Sequence, residues 1–192
     1  AWGGVARIGL NLHPSSRQEG SARSQADLKS EMLQAMRRLA KSVTIITSSD
    51  GQQRFAMSAT AVDSLSTEPP SLLICVNKTA SLHGVLDAGA DFCVNILGQE
   101  QEELSALCSG PVKGEARFAR GNWRSSAEGI PYLVDAQSAI LCRQDGKFSY
   151  GTHTIFIGRI QQIHNGDAIS PLVYLDGRYT TTAEPAALAA AC

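Results

Sequence analysis

Three short stretches hold residues whose types and spacing could do chemistry. The first, Met57-Ser-Ala-Thr-Ala-Val-Asp-Ser-Leu-Ser-Thr-Glu-Pro-Pro70, crowds Ser58, Thr60, Ser64, Ser66 and Thr67 into a segment otherwise fit for a strand. Hydroxyls alternating on one strand face offer donors to a flat polar ligand while the other face packs inward. Taken alone, the same pattern also reads as an edge strand with solvated hydroxyls. The second stretch, Asn77-Lys78-Thr79-Ala80-Ser81, lies between a strand and a helix beginning near Ser81. A helix start flanked by Lys78 and Ser81 suits a phosphate, and Ser81 as a plain N-cap is the alternative. The third, Gly151-Thr152-His153-Thr154-Ile-Phe-Ile-Gly158-Arg159, opens an apolar strand with a histidine. Alone, that ring reads more readily as a satisfied core residue.

Other chemistries lack their residues. His13, His83 and His164 sit in polar or flanking contexts, and nothing resembles a Ser-His-Asp or Cys-His arrangement. The five cysteines form no C-x-x-C pair and have no histidine at metal-ligand spacing, so no metal site is expected. Cys75, Cys93 and Cys142 lie in apolar runs and read as buried free thiols. There is no G-x-G-x-x-G after a first strand and no P-loop, so a nucleotide held here is not held the Rossmann way.

The elements that must position these stretches are mostly strands. Leu28, Met32, Ala35, Met36 and Leu39 recur at helical spacing, with Asp27 available as N-cap and Arg37-Arg38 with Lys41 at the far end. Val43–Thr47 reads as a β-branched strand, Ser49-Asp50-Gly51 as a turn, and Arg54 to Ala61 as extended. Pro69-Pro70 forces an extended entry into the apolar run Ser71–Val76. Ala80–Ala88 and Gln99–Cys108 read as helices around a strand at Asp91–Leu97. The polar stretch from Lys113 to Pro131 is a candidate functional loop or lid. Apolar runs follow at Ala136–Cys142, Phe148–Ile163 and Leu172–Leu175, separated by Asp-Gly, Asn-Gly and Asp-Gly turn signals. Many strands joined by such turns, with helices as covers, indicate a closed or nearly closed barrel.

Length and composition agree with one soluble globular domain. The 192 residues are 43% hydrophobic and 18% charged, with a formal net charge of −1 that recruits neither nucleic acid nor an anionic membrane. An odd cysteine count favours a reducing compartment, and no secretory segment or bilayer-length apolar stretch is visible, so a cytoplasmic location is expected. Residues 1–23 read as a flexible extension in which any short strand falls in Val5–Leu12, 24–182 as the domain, and 183–192 as a disordered tail. The start at Ala1 points to a trimmed or processed end.

Together, in this order, the three stretches resemble the short-chain flavin reductase family with the FMN-binding split-barrel fold. The resemblance rests on Thr60-Ala61 leading through Ser64 and Ser66 to Pro69-Pro70, then Asn77 and Ser81, then Gly151-Thr152-His153 and Gly158. Phe92-Cys-Val-Asn95-Ile-Leu97, Arg117-Phe118, Trp123, Gly129-Ile-Pro131 and Pro171-Leu-Val-Tyr174 match lesser features, and the likeness covers about residues 30 to 180. It implies a mainly β, Greek-key split barrel with peripheral helices, built as a homodimer. It also implies hydride transfer from NADH, or NADPH, to FMN or FAD, and a separate monooxygenase acting on an aromatic compound as recipient of the reduced flavin. A corrinoid reductase of the same fold, or a split barrel that only binds flavin or haem, are the alternatives.

By the same resemblance Ser58, Ala59, Thr60, Ser64, Leu65 and Ser66 face the flavin ring, Asn77, Lys78 and Ser81 meet its phosphate, and His153 contacts the nicotinamide nucleotide. Arg117, in the candidate lid, is expected to cover the dinucleotide. One departure stands out: Thr152 replaces the acid that usually precedes the histidine.

Overall fold

The computed structural model describes residues 24–182. The extension expected over 1–23, including Val5–Leu12, and the tail at 183–192 lie outside these residues. In chain order the elements are α1 (Gln25–Met36), β1 (Lys41–Ser42), β2 (Thr44–Ser49), β3 (Arg54–Ala59), β4 (Val62–Thr67), β5 (Pro70–Asn77), α2 (Ser81–Asp87) and β6 (Phe92–Ile96). A 3-10 turn (Gln99–Gln101), α3 (Glu102–Ser109), a second 3-10 turn (Gly114–Phe118), β7 (Trp123–Ser125), β8 (Pro131–Leu133), β9 (Ser138–Tyr150), β10 (His153–Asn165), β11 (Val173–Leu175) and β12 (Arg178–Thr180) follow.

The helix α1 belongs to a unit that ends at Met36, and the body begins at Arg37. Its cap is Ser24, not Asp27 as expected. Ser24 Oγ accepts the Asp27 N–H at 3.1 Å, and Asp27 Oδ2 accepts the Ser24 N–H at 3.2 Å. Asp27 thus fills the reciprocal role of a capping box, three residues inside the helix. Its apolar stripe, Leu28, Met32 and Met36, remains about half exposed.

Seven antiparallel strands form the main sheet in the order β3-β2-β6-β9-β10-β5-β4. Its two edges, β3 and β4, are consecutive in the chain and joined only by Thr60-Ala61. The sheet curls until those edges flank one connection, with no ladder between them. That is a barrel split at Thr60. The stretch Met57–Pro70, fit for a strand in the sequence, therefore holds two edge strands broken at Thr60-Ala61.

The inner face is one apolar cluster. Ile46, Leu72, Ile74, Val76, Phe92, Val94, Cys142 and Phe156 meet there, joined by Leu82, Val85 and Leu86 of α2. Each fully buried large side chain contributes about 1.5–3 kcal/mol. A second cluster, with Val43, Ile45, Ala56, Leu104, Cys108, Phe118 and Leu133, packs α3, the second 3-10 turn and β8 against the body. Gly158 lies where a Cβ would sit 2.5 Å from Phe92 Cζ and 2.7 Å from Cys142 Cβ, so only glycine lets β10 close on the core there.

One expected strand, one expected turn and one expected loop resolve differently. The run Phe148–Ile163 is the end of β9, a turn at Gly151-Thr152, and β10. Asp145-Gly146 makes no turn; the ladder shifts register beside it, pairing Gly146 with Ile157 and Gln144 with Gly158, so Asp145 bulges. Its carboxylate instead accepts two bonds from Arg159. Asp176-Gly177 does turn the chain, both residues having positive φ (51° and 80°), as a two-residue hairpin requires. The stretch Lys113–Pro131, expected as a functional loop or lid, holds a 3-10 turn and most of the β7–β8 hairpin. Phe118 and Trp123 meet edge to face at 5.1 Å, and Trp123 Nε1 donates to the Arg120 carbonyl at 2.6 Å. Close by, the fully buried Asn95 donates to the Ile45 carbonyl and accepts the Leu133 N–H at 2.7 Å, tying β8 to β2 and β6.

Candidate functional site

The second and third chemical stretches become one site because β5 and β10 are neighbours. Asn77, the last residue of β5, pairs with His153, the first of β10. Just beyond the ladder, the Lys78 N–H donates to the Thr152 carbonyl at 2.9 Å and Lys78 Nζ to the Gly151 carbonyl at 2.9 Å. Asn77 Oδ1 accepts from both the Thr79 N–H and the Thr79 hydroxyl, at 2.9 Å each. These bonds fix the connection leading into α2 against the turn carrying Thr152 and His153. Thr152 Oγ1 and His153 Nδ1 are 2.9 Å apart. Ser81 is the first residue of α2 and exposed; Ala80, not Ser81, holds the N-cap position, and no side chain caps that turn.

His83, which in the sequence reads as a histidine in a polar or flanking context, is a fastener. Its Nε2 lies 2.9 Å from Thr154 Oγ1 and its ring meets Phe156 edge to face at 5.6 Å. It ties α2 to β10 one residue past His153. The helical spacing Leu82, Val85, Leu86 around it was the only available signal.

The hydroxyl-rich stretch is divided between the two edges of the split. Ser58, on β3, turns toward α3: its hydroxyl donates to the Ser105 carbonyl at 2.7 Å, and Ser105 Oγ lies 3.0 Å from Tyr179 Oη. With Ala59, Thr60, Ser109 and Tyr174 these residues border a cavity of about 210 Å³. Thr60 also borders a larger one of about 390 Å³, with Ser64, Asp63, Lys41 and the aliphatic Leu72, Ile96, Ile140 and Ile160. Leu65 sits at the register shift of β4 and is exposed. Ser66 Oγ closes the turn to β5 by accepting the Glu68 N–H and donating to the Glu68 carbonyl.

One side of β4 bonds to β5; the other, at the edge of the sheet, is open to a ligand. Ala61 accepts the Cys75 N–H at 2.9 Å, so the split lies two to three residues, or about 7–10 Å, from Asn77 and His153. Ser66, opposite Ser71, marks the other end, about 20 Å from Asn77. Measured along the strands, Thr60, Ser64, Leu65 and the Asn77–His153 end fall in one band, in which Ser64 shares the inner face with Leu72 and Asn77 the outer face with Cys75. Arg117 is not in it. It is buried, and its guanidinium donates to the carbonyls of Ala56 (2.5 Å), Val112 (2.7 Å) and Gly110 (3.2 Å), which makes it a brace between β3 and the second 3-10 turn.

The electrostatics match a binding site more than an acid–base centre. Lys147 beside Asp87 holds that carboxyl below its usual range. Burial pushes the Cys108 thiol up to about 11 and the Cys142 thiol to about 12, which leaves both as inert hydrophobes. No group of three or more metal-ligating side chains occurs among the described residues. Donors along an open strand edge, a lysine, and one histidine suit a flat polar ligand carrying a phosphate.

A barrel split between consecutive strands, with its hydroxyls on the split edge and a histidine at one end of it, defines the flavin reductase class of split barrels. The chain belongs to the flavin reductase like domain family, which it matches over residues 36–183. It is 44% identical over 157 residues to the reductase component of the FADH2-dependent resorcinol hydroxylase of Rhizobium sp. strain MTP-10005, covering 81% of this chain and 87% of that one. To the FMN reductase (NADH) RutF of Variovorax paradoxus strain S110 it is 38% identical over 157 residues, covering 82% and 87%. Among solved structures it resembles SgcE6, the Streptomyces globisporus NADH:FAD oxidoreductase in complex with NAD and FAD fragments (TM-score 0.75, 26% identity, 84% and 94% covered). It also resembles BorF, the flavin reductase component of a bacterial two-component tryptophan halogenase (TM-score 0.74, 27% identity, 82% and 99% covered).

Proposed function

We propose that this chain oxidises NADH to reduce FMN or FAD and releases the reduced flavin to a separate monooxygenase acting on an aromatic compound. The observation that carries the reading is the band from the β4 edge to the Asn77–His153 pair. It is long enough for an extended flavin mononucleotide and ends beside the histidine.

The flavin, when bound, supplies the hydride acceptor. The chain's own residues bind and orient. Thr60, Ser64 and the backbone donors of Ala59 and Leu65 lie where the polar edge of a flat ring reaches the split. Ser58, held by Ser105, and Ser66, held by its turn, shape the two ends of that edge. Asn77, Lys78 and Ser81 form the phosphate end, where Lys78 keeps a positive charge on the pinned turn. His153 is placed to donate to the nicotinamide nucleotide. Hydride transfer needs alignment of donor and acceptor more than a proton relay, and the absence of an acid–base pair among these residues fits that demand.

A homodimer belongs to the same reading. The outer face of β9, β10 and β5 presents Phe148, Ile155 and Cys75 in one row, with Tyr150 beside them. Phe148 is 62% and Tyr150 78% exposed, an uncovered apolar strip next to the site. A cytoplasmic location accords with free thiols. Among the described residues no helix is long and apolar enough to cross a membrane.

The test is NADH consumption by purified protein with and without added FMN, FAD and riboflavin. Oxidation that requires added flavin is expected. A folded protein that binds flavin and oxidises neither NADH nor NADPH would overturn the reading.

A further inference from the structure

Resting on the reading above, the geometry points to Thr152 as a positioning residue that lets His153 act as a neutral hydrogen-bond donor. Thr152 Oγ1 lies 2.9 Å from His153 Nδ1, and neither Thr152 Oγ1 nor His153 Nε2 bonds any other described residue. A hydroxyl can donate to Nδ1. The ring proton then stays on Nε2, the nitrogen left open beside the phosphate end of the site. A carboxylate at residue 152 could only accept. It would draw the proton of a neutral ring to Nδ1 and leave Nε2 bare, so Nε2–H would be offered only by the charged imidazolium.

The backbone makes this more than a surface accident. The Thr152 carbonyl is held by the Lys78 N–H and the Gly151 carbonyl by Lys78 Nζ, while His153 is registered opposite Asn77. The hydroxyl and the ring are therefore held on a braced turn. The charged and titratable side chains on the packed elements are Lys78 before α2, His83 and Asp87 in α2, Cys75 in β5, and Cys142, Arg143, Asp145, Lys147 and Tyr150 in β9, where Asp145 is bonded by Arg159. Lys147 is engaged with Asp87 at 2.5 Å and His83 with Thr154, so no carboxylate competes for His153 Nδ1. The consequence is that acceptor oxygens on the nicotinamide nucleotide meet an Nε2–H donor whether the ring is neutral or charged.

The experiment combines steady-state kinetics with nitrogen NMR of labelled histidine. For the wild type, KM for NADH at saturating flavin is expected to stay flat between about pH 6 and about pH 9, with the neutral ring protonated on Nε2. Thr152→Asp should make KM climb about tenfold across that range while kcat changes little, and move the neutral ring's proton to Nδ1. Thr152→Val should raise KM about threefold, with Thr152→Ser restoring it. A wild-type ring protonated on Nδ1, or a wild-type KM that itself climbs about tenfold with pH, would overturn the proposal. The NMR readout needs no turnover. A wild type that never oxidises NADH would thus strike the reductase reading while the tautomer is still read.

Discussion

His153 and Asn77 face each other across the β5–β10 ladder, although 76 positions separate them in the chain. The pairing joins the turn before β10 to the connection before α2, and makes one site of two stretches that look unrelated in the sequence. It also lets a substitution on either strand be felt by the other.

Removing the phosphate end should separate flavins by their chemistry. Ser81→Asp places a negative charge beside Lys78 at an exposed position, where folding is little affected. KM for FMN is expected to rise about tenfold, with riboflavin, which lacks the phosphate, nearly unchanged. Equal losses for both flavins would place the phosphate elsewhere.

Arg117 should behave as a structural brace. Arg117→Ala leaves the Ala56, Val112 and Gly110 carbonyls without their donor and is expected to lower unfolding free energy by about 2–4 kcal/mol in urea titrations. KM for NADH of the folded fraction should stay within about twofold of wild type. A selective rise in that KM with intact stability would return Arg117 to the nucleotide site.

Gly158→Ala tests how tightly the barrel closes. The new methyl would meet Phe92 and Cys142, neither of which can retreat from a full core, and about 2–3 kcal/mol of destabilisation is expected. Thermal melts of the variant and wild type decide it.

Asp87 offers a pH test with a defined sign. Lys147 holds its carboxyl below the ordinary value in the folded state, so the unfolded chain takes up the proton first as pH falls. The stabilisation is complete above the unfolded carboxylate range, about pH 4, and disappears as pH drops through the lower folded value. Asp87→Asn should therefore melt below wild type at neutral pH, and the two melting temperatures should converge in acid.

The described thiols should react unevenly. Cys93, Cys108 and Cys142 are buried and held protonated by that burial, whereas Cys75 is partly exposed on the outer face of β5. A thiol reagent near neutral pH is expected to modify Cys75 first among these four in the monomer, and more slowly where the proposed homodimer covers that strip. Cooperative unfolding should be needed before the others respond.

Sequence alone carried the local and the compositional facts. Val43–Thr47, Ser71–Val76 and Asp91–Leu97 could be read as strands because β-branched runs between turn residues have few other solutions. The three chemical stretches were legible as residue types in order, since Thr60, Ser64, Asn77, Ser81 and His153 announce donors wherever they fall. Tertiary structure decided what those donors are free to do. Ser58 and Arg117 look as available in the sequence as Thr60 and His153, yet Ser105 engages one and three backbone carbonyls the other. Asp145-Gly146 carries the turn signal that Asp176-Gly177 uses, but the long β9–β10 ladder overrides it with a bulge. Hydrogen-bond partners and strand neighbours are distant in the chain, and only closing the sheet brings His153 to Asn77 and leaves the edge at Thr60 open.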